Sequence, residues 1–241
     1  MDVSILITSY NYKNFLPLCL KSCIEQRMHN MKYEIIVVDD GSNDGTKEIL
    51  KQTLPEIVRV FHIDNCGIEK ASNFGFKKCR GKYILRVDAD DFLYPGYLSE
   101  IQKYLNNDFG FFYPDYDVIG NKGEIISNFF LPSFSSEEIL SRGDFLATGT
   151  LIHSKHIENF GGYNSMVCNS GLENYEFILD LIHSGITGFH VPKTLFGYRR
   201  HSNNISKLKR DSIIRHGKKL FQIKRYGNFM TNEYHPYGLK V

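Results

Sequence analysis

The stretch Tyr83-Ile-Leu-Arg-Val-Asp88-Ala-Asp90-Asp91-Phe-Leu-Tyr-Pro95 joins an apolar, β-branched run to three carboxylates within four positions. The run predicts a buried strand that ends at the acids, and Pro95 marks the start of a helix. Open α/β sheets bind ligands at the carboxyl ends of their strands. Because adjacent carboxylates repel one another, the cluster indicates a site for a hard divalent cation. A surface acidic turn that caps the next helix is the alternative, but a cap needs only one acid.

Composition excludes several classes of protein. The 241 residues suit one large α/β domain, or one domain with an appendage. The 29 basic and 27 acidic side chains nearly balance, so the total charge predicts no nucleic-acid partner. Five cysteines form no C-x-x-C pair; Cys19 and Cys23 are compatible with half a metal site, but buried thiols explain them better. The chain shows neither a signal-peptide pattern nor an apolar run of membrane-spanning length, from which we expect a reducing, cytoplasmic location.

Strand and helix patterns alternate along the first part of the chain. Strands are predicted at 3–8, 33–40 and 57–63, and helices at about 15–26, 44–52 and 69–79. This order predicts right-handed β-α-β units and a parallel sheet. One edge of that sheet would carry the acidic cluster and the polar residues Thr8, Tyr10, Asp40 and Asn65. The first strand is followed by neither G-x-G-x-x-G nor G-x-x-x-x-G-K-[ST], which disfavours dinucleotide-binding and phosphate-loop folds.

The patterns in the later segments predict secondary structure more clearly than function. Strands at 109–119 and 124–130 flank a Gly120-Asn-Lys-Gly123 turn, a short helix and a loop occupy 131–149, and a strand occupies 186–196. Residues 207–226 are strongly basic and amphipathic. Two interpretations are compatible with this pattern: a solvated face of a packed helix, or contact with an anionic membrane surface.

Several motifs carry a resemblance to a known family. In chain order they are Ser4-Ile-Leu-Ile-Thr-Ser-Tyr-Asn11, Val37-Val-Asp-Asp-Gly-Ser-Asn-Asp-Gly-Thr46, Asn65-Cys-Gly with Ala71-Ser-Asn73-Phe-Gly75, and Asp88-Ala-Asp-Asp91. Together they resemble the nucleotide-sugar half of family 2 glycosyltransferases of the GT-A fold. Three later motifs resemble the acceptor half: Gly161-Gly-Tyr-Asn, Gly171-Leu-Glu-Asn-Tyr-Glu and Tyr198-Arg-Arg-His-Ser-Asn-Asn-Ile-Ser206.

The resemblance implies a fold and a division of the chain. The expected fold is a single GT-A-like α/β domain over 1–206, with a mostly parallel central sheet flanked by helices and a small antiparallel element. Residues 1–105 would form the nucleotide-sugar half and 106–206 the acceptor half. Residues 207–241 would form a basic amphipathic helix and tail.

The resemblance also implies roles for individual residues. The nucleotide would be bound by Thr8, Tyr10, Asp40, Asn65, Lys70, Asp88 and Asp91. The metal, Mn²⁺ or Mg²⁺, would be held by Asp90 and His201, and the diphosphate by Arg199 and Arg200. A carboxylate suits the imide N–H of uracil, and a tyrosine can stack on a base. Structural alternatives remain for four of these residues: a core aromatic for Tyr10, a turn former for Asp40, a solvated lysine for Lys70 and a structural histidine for His201.

The catalytic base is the point where the chain departs from the family. The family's base is typically the aspartate of a Glu-Asp pair that opens a late helix, whereas this chain has Glu173-Asn174. An asparagine cannot accept a proton at neutral pH. Three explanations compete: Glu173 is the base, Glu176 or Asp180 is the base, or the protein transfers poorly or not at all. Ser170-Gly-Leu-Glu173 also fits a capping box, which would give Glu173 a structural role.

The function implied is metal-dependent, inverting transfer from a UDP-sugar to a glycan or lipid-linked acceptor, in the synthesis of a cell-surface polysaccharide. The alternative is a non-catalytic nucleotide-sugar-binding protein or a partner subunit of a glycosyltransferase complex. A nucleotidyltransferase is disfavoured because no loop rich in glycine and basic residues follows the first strand. The protein is expected in the cytoplasm, with peripheral contact at the inner face of the membrane as one possibility.

Overall fold

The structure, a computed structural model, describes residues 1–146, 149–232, 235 and 241. Nine strands of this part of the chain form one sheet in the order β3-β2-β1-β4-β8-β6-β9-β5, with β7 paired to β6. The strands are β1 (Val3–Ser9), β2 (Tyr33–Asp40), β3 (Val58–Ile63), β4 (Tyr83–Asp88), β5 (Phe92–Leu93), β6 (Phe111–Ile119), β7 (Ile125–Phe129), β8 (Leu151–His153) and β9 (Gly188–Arg199).

In the described part of the chain, nine helices connect the strands or follow the last strand. They are α1 (Leu16–Ile24), α2 (Thr46–Leu50), α3 (Ile68–Phe76), α4 (Tyr97–Ile101), α5 (Ser136–Arg142), α6 (Ser154–Phe160), α7 (Glu173–His183), α8 (Ile205–Leu208) and α9 (Arg210–Lys224). One 3₁₀ turn, Gln102–Tyr104, extends α4. The helix α3 packs against β1 and β2 at close range, because Gly75 presents no side chain to Leu6.

The first four strands are parallel, as the sequence predicts. Their apolar side chains are buried, which explains why β1 and β2 read as continuous hydrophobic runs. The strands β2 and β3 lie on one side of β1, and the next strand of the chain, β4, lies on its other side. At this change of side Thr8 of β1 is paired with Asp88 of β4. Doubly wound sheets bind ligands at such a switch point. The fold therefore places the end of β1 beside the acidic cluster.

The second half of the sheet is mixed, so its antiparallel part is larger than the hairpin that we expected. The predicted hairpin forms as β6 and β7. In addition, β8 runs antiparallel to both β4 and β6, and β5 runs antiparallel to β9. The α/β fold class is confirmed, and most of the paired residues of the sheet belong to parallel strand pairs.

The strand predicted at 186–196 extends further than expected. β9 pairs in parallel with β6 up to Val118↔Tyr198 and Ile119↔Arg199. Tyr198 and Arg199 therefore lie in the strand and not in the loop that follows it. The local sequence does not predict this extension because the partner strand is distant in the chain.

The basic C-terminal segment forms two helices rather than one. α8 and α9 meet at Lys209, and α9 buries Ile213, Leu220 and Phe221 on one face. The rest of α9 carries exposed basic side chains such as Lys218 and Lys219. None of the helices in the described part of the chain is long and apolar enough to cross a membrane.

A buried carboxylate stabilises the end of the sheet at which β1 and β2 begin. Glu34, at the start of β2, is 2% exposed. Its Oε1 accepts hydrogen bonds from Ser4 Oγ at 2.8 Å and from Arg80 N at 2.7 Å. Its Oε2 accepts from Arg80 Nη2 at 2.8 Å and Arg59 Nη1 at 3.2 Å. Burial alone would raise the pKa of Glu34, but the hydrogen bonds from Arg80 and Ser4 outweigh it and lower the pKa.

Candidate active site

A cavity of about 440 Å³ lies at the switch point, above the ends of β1 and β4. It is lined by residues from both halves of the chain. The predicted site residues in its lining are Thr8, Tyr10, Asp40, Asn65, Asp88, Asp90, Glu173, Asn174 and His201. The structure thus brings most of the predicted residues together.

The acidic cluster has the geometry of a cation site. Asp88, Asp90 and Asp91 each offer an oxygen, and these oxygens lie within 4.8 Å of one another. Asp90 and Asp91 are buried, and Asp88 is partly exposed to the cavity. Burial raises the pKa of Asp88 to about 6; Arg86 opposes the rise and the charge of Asp90 adds to it. Three oxygens at this spacing match the ligand chemistry of Mg²⁺ and Mn²⁺.

The supports of the cluster come from distant segments. Asp91 Oδ1 accepts a hydrogen bond from the backbone N–H of Arg199 at 2.8 Å. Asp90 Oδ2 is contacted by His201 Nε2 at 2.8 Å and by Asn204 Nδ2 at 3.3 Å.

The Tyr12 side chain faces the charges of the acidic cluster. Burial, followed by the charges of the cluster, raises the pKa of Tyr12 far above its usual value, so its hydroxyl stays protonated.

His201 is placed to support Asp90. Its ring stacks on Phe15 with centroids 5.0 Å apart, and its Nδ1 accepts from the backbone N–H of Asn203 at 3.1 Å. In the neutral ring the proton is then on Nε2, which donates to Asp90. Coordination of a metal through Nε2 would require this proton to move to Nδ1, which faces another donor. The hydrogen bonds thus favour His201 as a residue that positions Asp90 over the predicted role as a metal ligand.

Two polar groups at the end of β1, beside the cavity, are unsatisfied. Thr8 Oγ1 and Ser9 Oγ are buried and have no hydrogen-bond partner among the described residues. Tyr10 is 45% exposed, so its ring is available for stacking and is not a core aromatic. A buried hydroxyl without a partner costs free energy unless a ligand or water satisfies it. These groups therefore fit a bound polar ligand.

Asp40 has a structural task as well as a place in the cavity. Its Oδ1 accepts from Cys66 N at 2.8 Å, and its Oδ2 accepts from Gly67 N at 3.0 Å. Asn65 Nδ2 donates to the backbone carbonyl of Asp40 at 3.0 Å. Asp40 therefore orders the loop that precedes α3. Each carboxylate oxygen also has a longer second contact, from Cys66 Sγ to Oδ1 at 3.3 Å and from Asn65 Nδ2 to Oδ2 at 3.4 Å, which the N–H of a ligand would replace.

A buried arginine links the acidic cluster to the acceptor half. The Arg86 side chain is 6% exposed; its Nη2 lies 2.7 Å from Asp88 Oδ1, and its Nη1 lies 2.9 Å from Glu173 Oε1. The second oxygen of Glu173, Oε2, makes no hydrogen bond to any described residue. Arg86 was not singled out from the sequence. A signal was present, because period-two alternation in a strand puts Arg86 on the same face as Asp88.

The predicted capping box at the start of α7 is wrong. Leu172 is the residue before the helix, and no side chain caps it. Ser170 Oγ accepts from Leu172 N at 3.2 Å, while Glu173 turns to Arg86 instead of the helix start. The ion pair with a buried guanidinium wins because an unpaired Arg86 would be far costlier than an uncapped N–H.

Asn174 is fixed by two hydrogen bonds. Its Nδ2 donates to the carbonyl of Leu146 at 2.6 Å, and its Oδ1 accepts from Tyr163 Oη at 3.2 Å. The amide is required for this pattern because a carboxylate cannot donate to Leu146. The two other base candidates, Glu176 and Asp180, do not line the cavity, and Lys224 Nζ lies 2.6 Å from Asp180 Oδ1.

Four predicted residues lie outside the cavity lining: Asp91, which is described above, and three basic residues. Lys70 is exposed on α3. Arg200 is exposed, and its backbone N–H donates to the carbonyl of Ile119 at 2.8 Å. Arg199 is 2% exposed, and its guanidinium donates to the carbonyls of Asp90 at 2.7 Å and Gly120 at 2.8 Å. The predicted diphosphate role of Arg199 is not supported, because its side chain is buried outside the cavity lining and its Nε and Nη1 donate to backbone carbonyls.

Residues 4–157 match the sequence model of the family described as Glycosyl transferase family 2. The chain belongs to glycosyl transferase family 2. This family 2 glycosyltransferase is 30% identical over 215 residues to the chondroitin synthase of Escherichia coli, which covers 87% of the chain and 30% of that protein. It is 35% identical over 103 residues to glycosyltransferase GlyA of Streptococcus pneumoniae, covering 42% of the chain and 14% of GlyA. The chain thus spans less than a third of the length of either relative.

Solved structures agree on the fold. The crystal structure of S. aureus TarS 1-349 in complex with UDP-GlcNAc superposes with a TM-score of 0.74 at 16% identity, over 91% of this chain and 65% of that one. The mannosyltransferase PcManGT of Pyrobaculum calidifontis, in complex with GDP-Man and Mn²⁺, superposes with a TM-score of 0.72 at 15% identity, over 98% and 67%. The family 2 glycosyltransferase therefore has the GT-A fold that the resemblance implied.

Proposed function

We propose that the chain is an inverting glycosyltransferase that moves a sugar from a UDP-sugar to a glycan or lipid-linked acceptor, in the synthesis of a cell-surface polysaccharide. The observation that carries the proposal is that two carboxylates of the acidic cluster, Asp88 and Asp90, line one cavity at the switch point of the sheet together with the exposed ring of Tyr10 and the unsatisfied Thr8 hydroxyl. A nucleoside diphosphate with a divalent cation matches this set of groups. The TarS complexes contain UDP-GlcNAc and UDP, which supports uridine as the nucleoside.

In this proposal the base of the nucleotide lies between Tyr10 and the loop that Asp40 orders. The ring of Tyr10 stacks on it, and Asp40 accepts its imide N–H. Thr8 Oγ1 gains the partner that it lacks. Asn65 supports this end by holding the Asp40 carbonyl. The nearest competitor is guanosine, since PcManGT binds GDP-Man.

The diphosphate end falls at the acidic cluster. Asp88, Asp90 and Asp91 fit Mn²⁺ or Mg²⁺ by their oxygen chemistry and spacing. A bound cation would neutralise diphosphate charge as the sugar leaves. Asp90 is held for this task by His201, and Asp88 by Arg86. No arginine of the pair Arg199 and Arg200 lines the cavity, so we assign neither to the diphosphate. Lys70 and Arg200 remain predictions that this geometry does not favour.

The base assignment in this proposal is Glu173. It opens α7 in the cavity lining, and its Oε2 is available while Oε1 binds Arg86. Transfer with inversion needs a group that removes the proton of the acceptor hydroxyl as the anomeric carbon is attacked. Asn174 cannot do so and serves instead to fix the start of α7.

The domain division stays part of the proposal: residues 1–105 bind the donor, 106–206 bind the acceptor, and 207–241 add a basic helix. Its last residues, 233–234 and 236–240, lie outside the described part of the chain. The cytoplasmic location, with peripheral membrane contact, remains a prediction from the sequence.

One observation favours a second function. The position of the family's aspartate base holds Asn174, and the neighbouring Glu173 is ion-paired. A protein that binds a nucleotide sugar without transferring it, or a partner subunit, would have this arrangement. Catalysis itself separates the two functions.

The first experiment is a thermal-shift panel of UDP, GDP, dTDP and CMP, each with and without Mn²⁺. A ligand at about a hundred times its dissociation constant stabilises by roughly 2.7 kcal/mol, which raises Tm by several degrees in a chain of this size. We expect stabilisation by UDP that depends on Mn²⁺ and is absent in Asp90→Ala. No response to any nucleotide would refute the donor site.

The second experiment tests the base by donor hydrolysis or transfer. Glu173→Gln should lower kcat by about 10²- to 10⁴-fold and leave UDP affinity unchanged. The matched control is Glu176→Gln, which changes a buried glutamate of the same helix outside the cavity lining. Wild-type protein that binds UDP but neither hydrolyses nor transfers would support the non-catalytic alternative.

A further inference from the structure

A second cavity, of about 600 Å³, lies between the loop 167–170 and the helices α8 and α9. One wall consists of Val167, Cys168, Asn169 and Ser170. The other consists of residues 207–212 with Arg215 and His216. We call this cavity the α9 groove.

The α9 groove has an excess of positive charge. Its lining contains four exposed cations and one acid: Lys207, Lys209, Arg210 and Arg215 against Asp211. Among the described residues, no acidic side chain forms an ion pair with Lys207, Lys209 or Arg215. The same helix shows the contrast further along, where Lys224 Nζ is 2.6 Å from Asp180 Oδ1. Like charges this close together repel, and an anionic ligand would remove the repulsion.

The opposite wall of the groove is held in place from beneath. Glu69 is 1% exposed, and its two oxygens accept hydrogen bonds from the backbone N–H groups of Asn169 at 2.8 Å and Ser170 at 2.6 Å. Asn169 Oδ1 in turn accepts from Ile68 N at 3.3 Å. A buried carboxylate on α3 therefore fixes the loop, so the groove has one rigid wall facing the cationic wall.

The groove adjoins the candidate active site on its acceptor side. Asn169 lines both cavities. Gly171 and Ile205 line the active-site cavity, and Gly171 packs directly on Ile213 of α9. Glu173, the proposed base, follows Gly171 by two residues. A chain that places a hydroxyl at Glu173 can therefore continue along the α9 groove.

We propose that the α9 groove binds a negatively charged segment of the acceptor, so that the acceptor is a glycan bearing phosphate or carboxylate groups. This inference rests on the proposed transferase function and names the class of its acceptor. Neutral sugar hydroxyls need no cluster of cations, whereas phosphates and carboxylates pair with lysine and arginine. The cations line a concave groove beside the active site, which favours an extended anionic chain over the surface of a membrane.

The test measures binding of three soluble probes at fixed ionic strength: oligogalacturonate, linear polyphosphate and neutral maltohexaose. The groove variant is Lys207→Gln with Arg215→Gln. The matched control is Lys218→Gln with Lys219→Gln, which removes the same charge from exposed lysines of α9 outside the groove lining. We expect at least one anionic probe to bind and maltohexaose not to bind. The groove variant should weaken that binding roughly tenfold, and the control should change it less than twofold.

Three outcomes would overturn the inference. Equal loss in the two variants would mean diffuse attraction to the whole helix. Binding of maltohexaose as tight as that of the charged probes would mean that the groove does not select ligands by their charge. Groove-dependent binding to phosphatidylglycerol vesicles, without binding to either anionic probe, would assign the groove to a membrane.

The proposed function is tested separately by the Mn²⁺-dependent thermal shift with UDP. The groove variant should show the same shift as the wild type. Loss of the UDP response in the wild type, with groove-dependent binding of the anionic probe, would be a failure of the proposed function. A normal UDP response without binding of any anionic probe would be a failure of the groove inference alone.

Discussion

Replacing Arg86 by methionine should destabilise the protein strongly. Arg86 is the counter-charge of two carboxylates, Asp88 on its own strand and Glu173 on α7. Methionine has similar length and no charge, so the substitution removes both ion pairs without opening a large cavity. It leaves Glu173, whose side chain is 9% exposed, without a partner.

The expected loss follows from the burial of the group. Removing one partner of a buried ion pair costs about 3–5 kcal/mol, because the remaining charge stays desolvated. In a chain of this length 1 kcal/mol corresponds to a change in Tm of about 2–4 °C, so the midpoint should fall by roughly 6–20 °C. Arg59→Met is the control. The Arg59 side chain is 30% exposed, and its partner Glu34 keeps Arg80, so the loss there should be at most about 1 kcal/mol.

The assay is thermal unfolding for the midpoint and urea unfolding for the free energy, both followed by circular dichroism and repeated with Mn²⁺. The double variant Arg86→Met with Glu173→Gln should recover part of the loss, because the neutral amide needs no counter-charge. A coupling free energy of about 1–3 kcal/mol is expected from this cycle. Mn²⁺ should stabilise Arg86→Met more than it stabilises the wild type, since a cation at the acidic cluster supplies a new counter-charge for Asp88.

The reasoning would be refuted by a small effect. If Arg86→Met loses no more stability than Arg59→Met, the two carboxylates do not depend on the buried guanidinium. An additive double variant would show that Arg86 and Glu173 are not coupled, and the link between the two halves of the site would then be abandoned.

Three further predictions concern stability. The pKa of Glu34 lies below its usual 4.5 in the folded protein, so its contribution to stability is present above pH 4.5 and is lost as pH falls through the folded value. The difference in unfolding free energy between wild type and Glu34→Gln, measured by urea unfolding from pH 6 to pH 3, should therefore shrink in acid. A difference that stays constant over this range would contradict the prediction. Asn174→Asp should lower the free energy of unfolding by about 1–3 kcal/mol, because the carboxylate would face the Leu146 carbonyl without a proton to donate; an unchanged urea midpoint would argue against that hydrogen bond. Gly75→Ala should cost about 1–3 kcal/mol of unfolding free energy, because the added methyl group would meet Leu6. The comparison is Gly123→Ala, whose new carbon has no neighbour within 4 Å but lies at a positive φ. A thermal midpoint of Gly75→Ala equal to that of the wild type would contradict the close packing of α3 on β1.

Part of the candidate site could be predicted because it lies at the ends of strands with a strong local pattern. Thr8, Asp40 and the acidic cluster each follow a buried apolar run, and parallel strands end at a common edge. Arg199 could not be predicted correctly. Its motif is adjacent to His201, but strand pairing with Ile119 turns its side chain into the protein and away from the cavity.

The sequence by itself determined the alternation of strands and helices, the parallel first half of the sheet and the carboxylate cluster, because each is encoded within a few residues of periodic pattern. Only the tertiary structure decided the mixed second half of the sheet, where β6 pairs with β9 and β8. It also decided the partner of Glu173, because Arg86 lies 87 residues earlier in the chain. Local periodicity does not specify which distant segments meet. That choice depends on which arrangement satisfies the buried charges and the backbone groups of the interior strands at the same time.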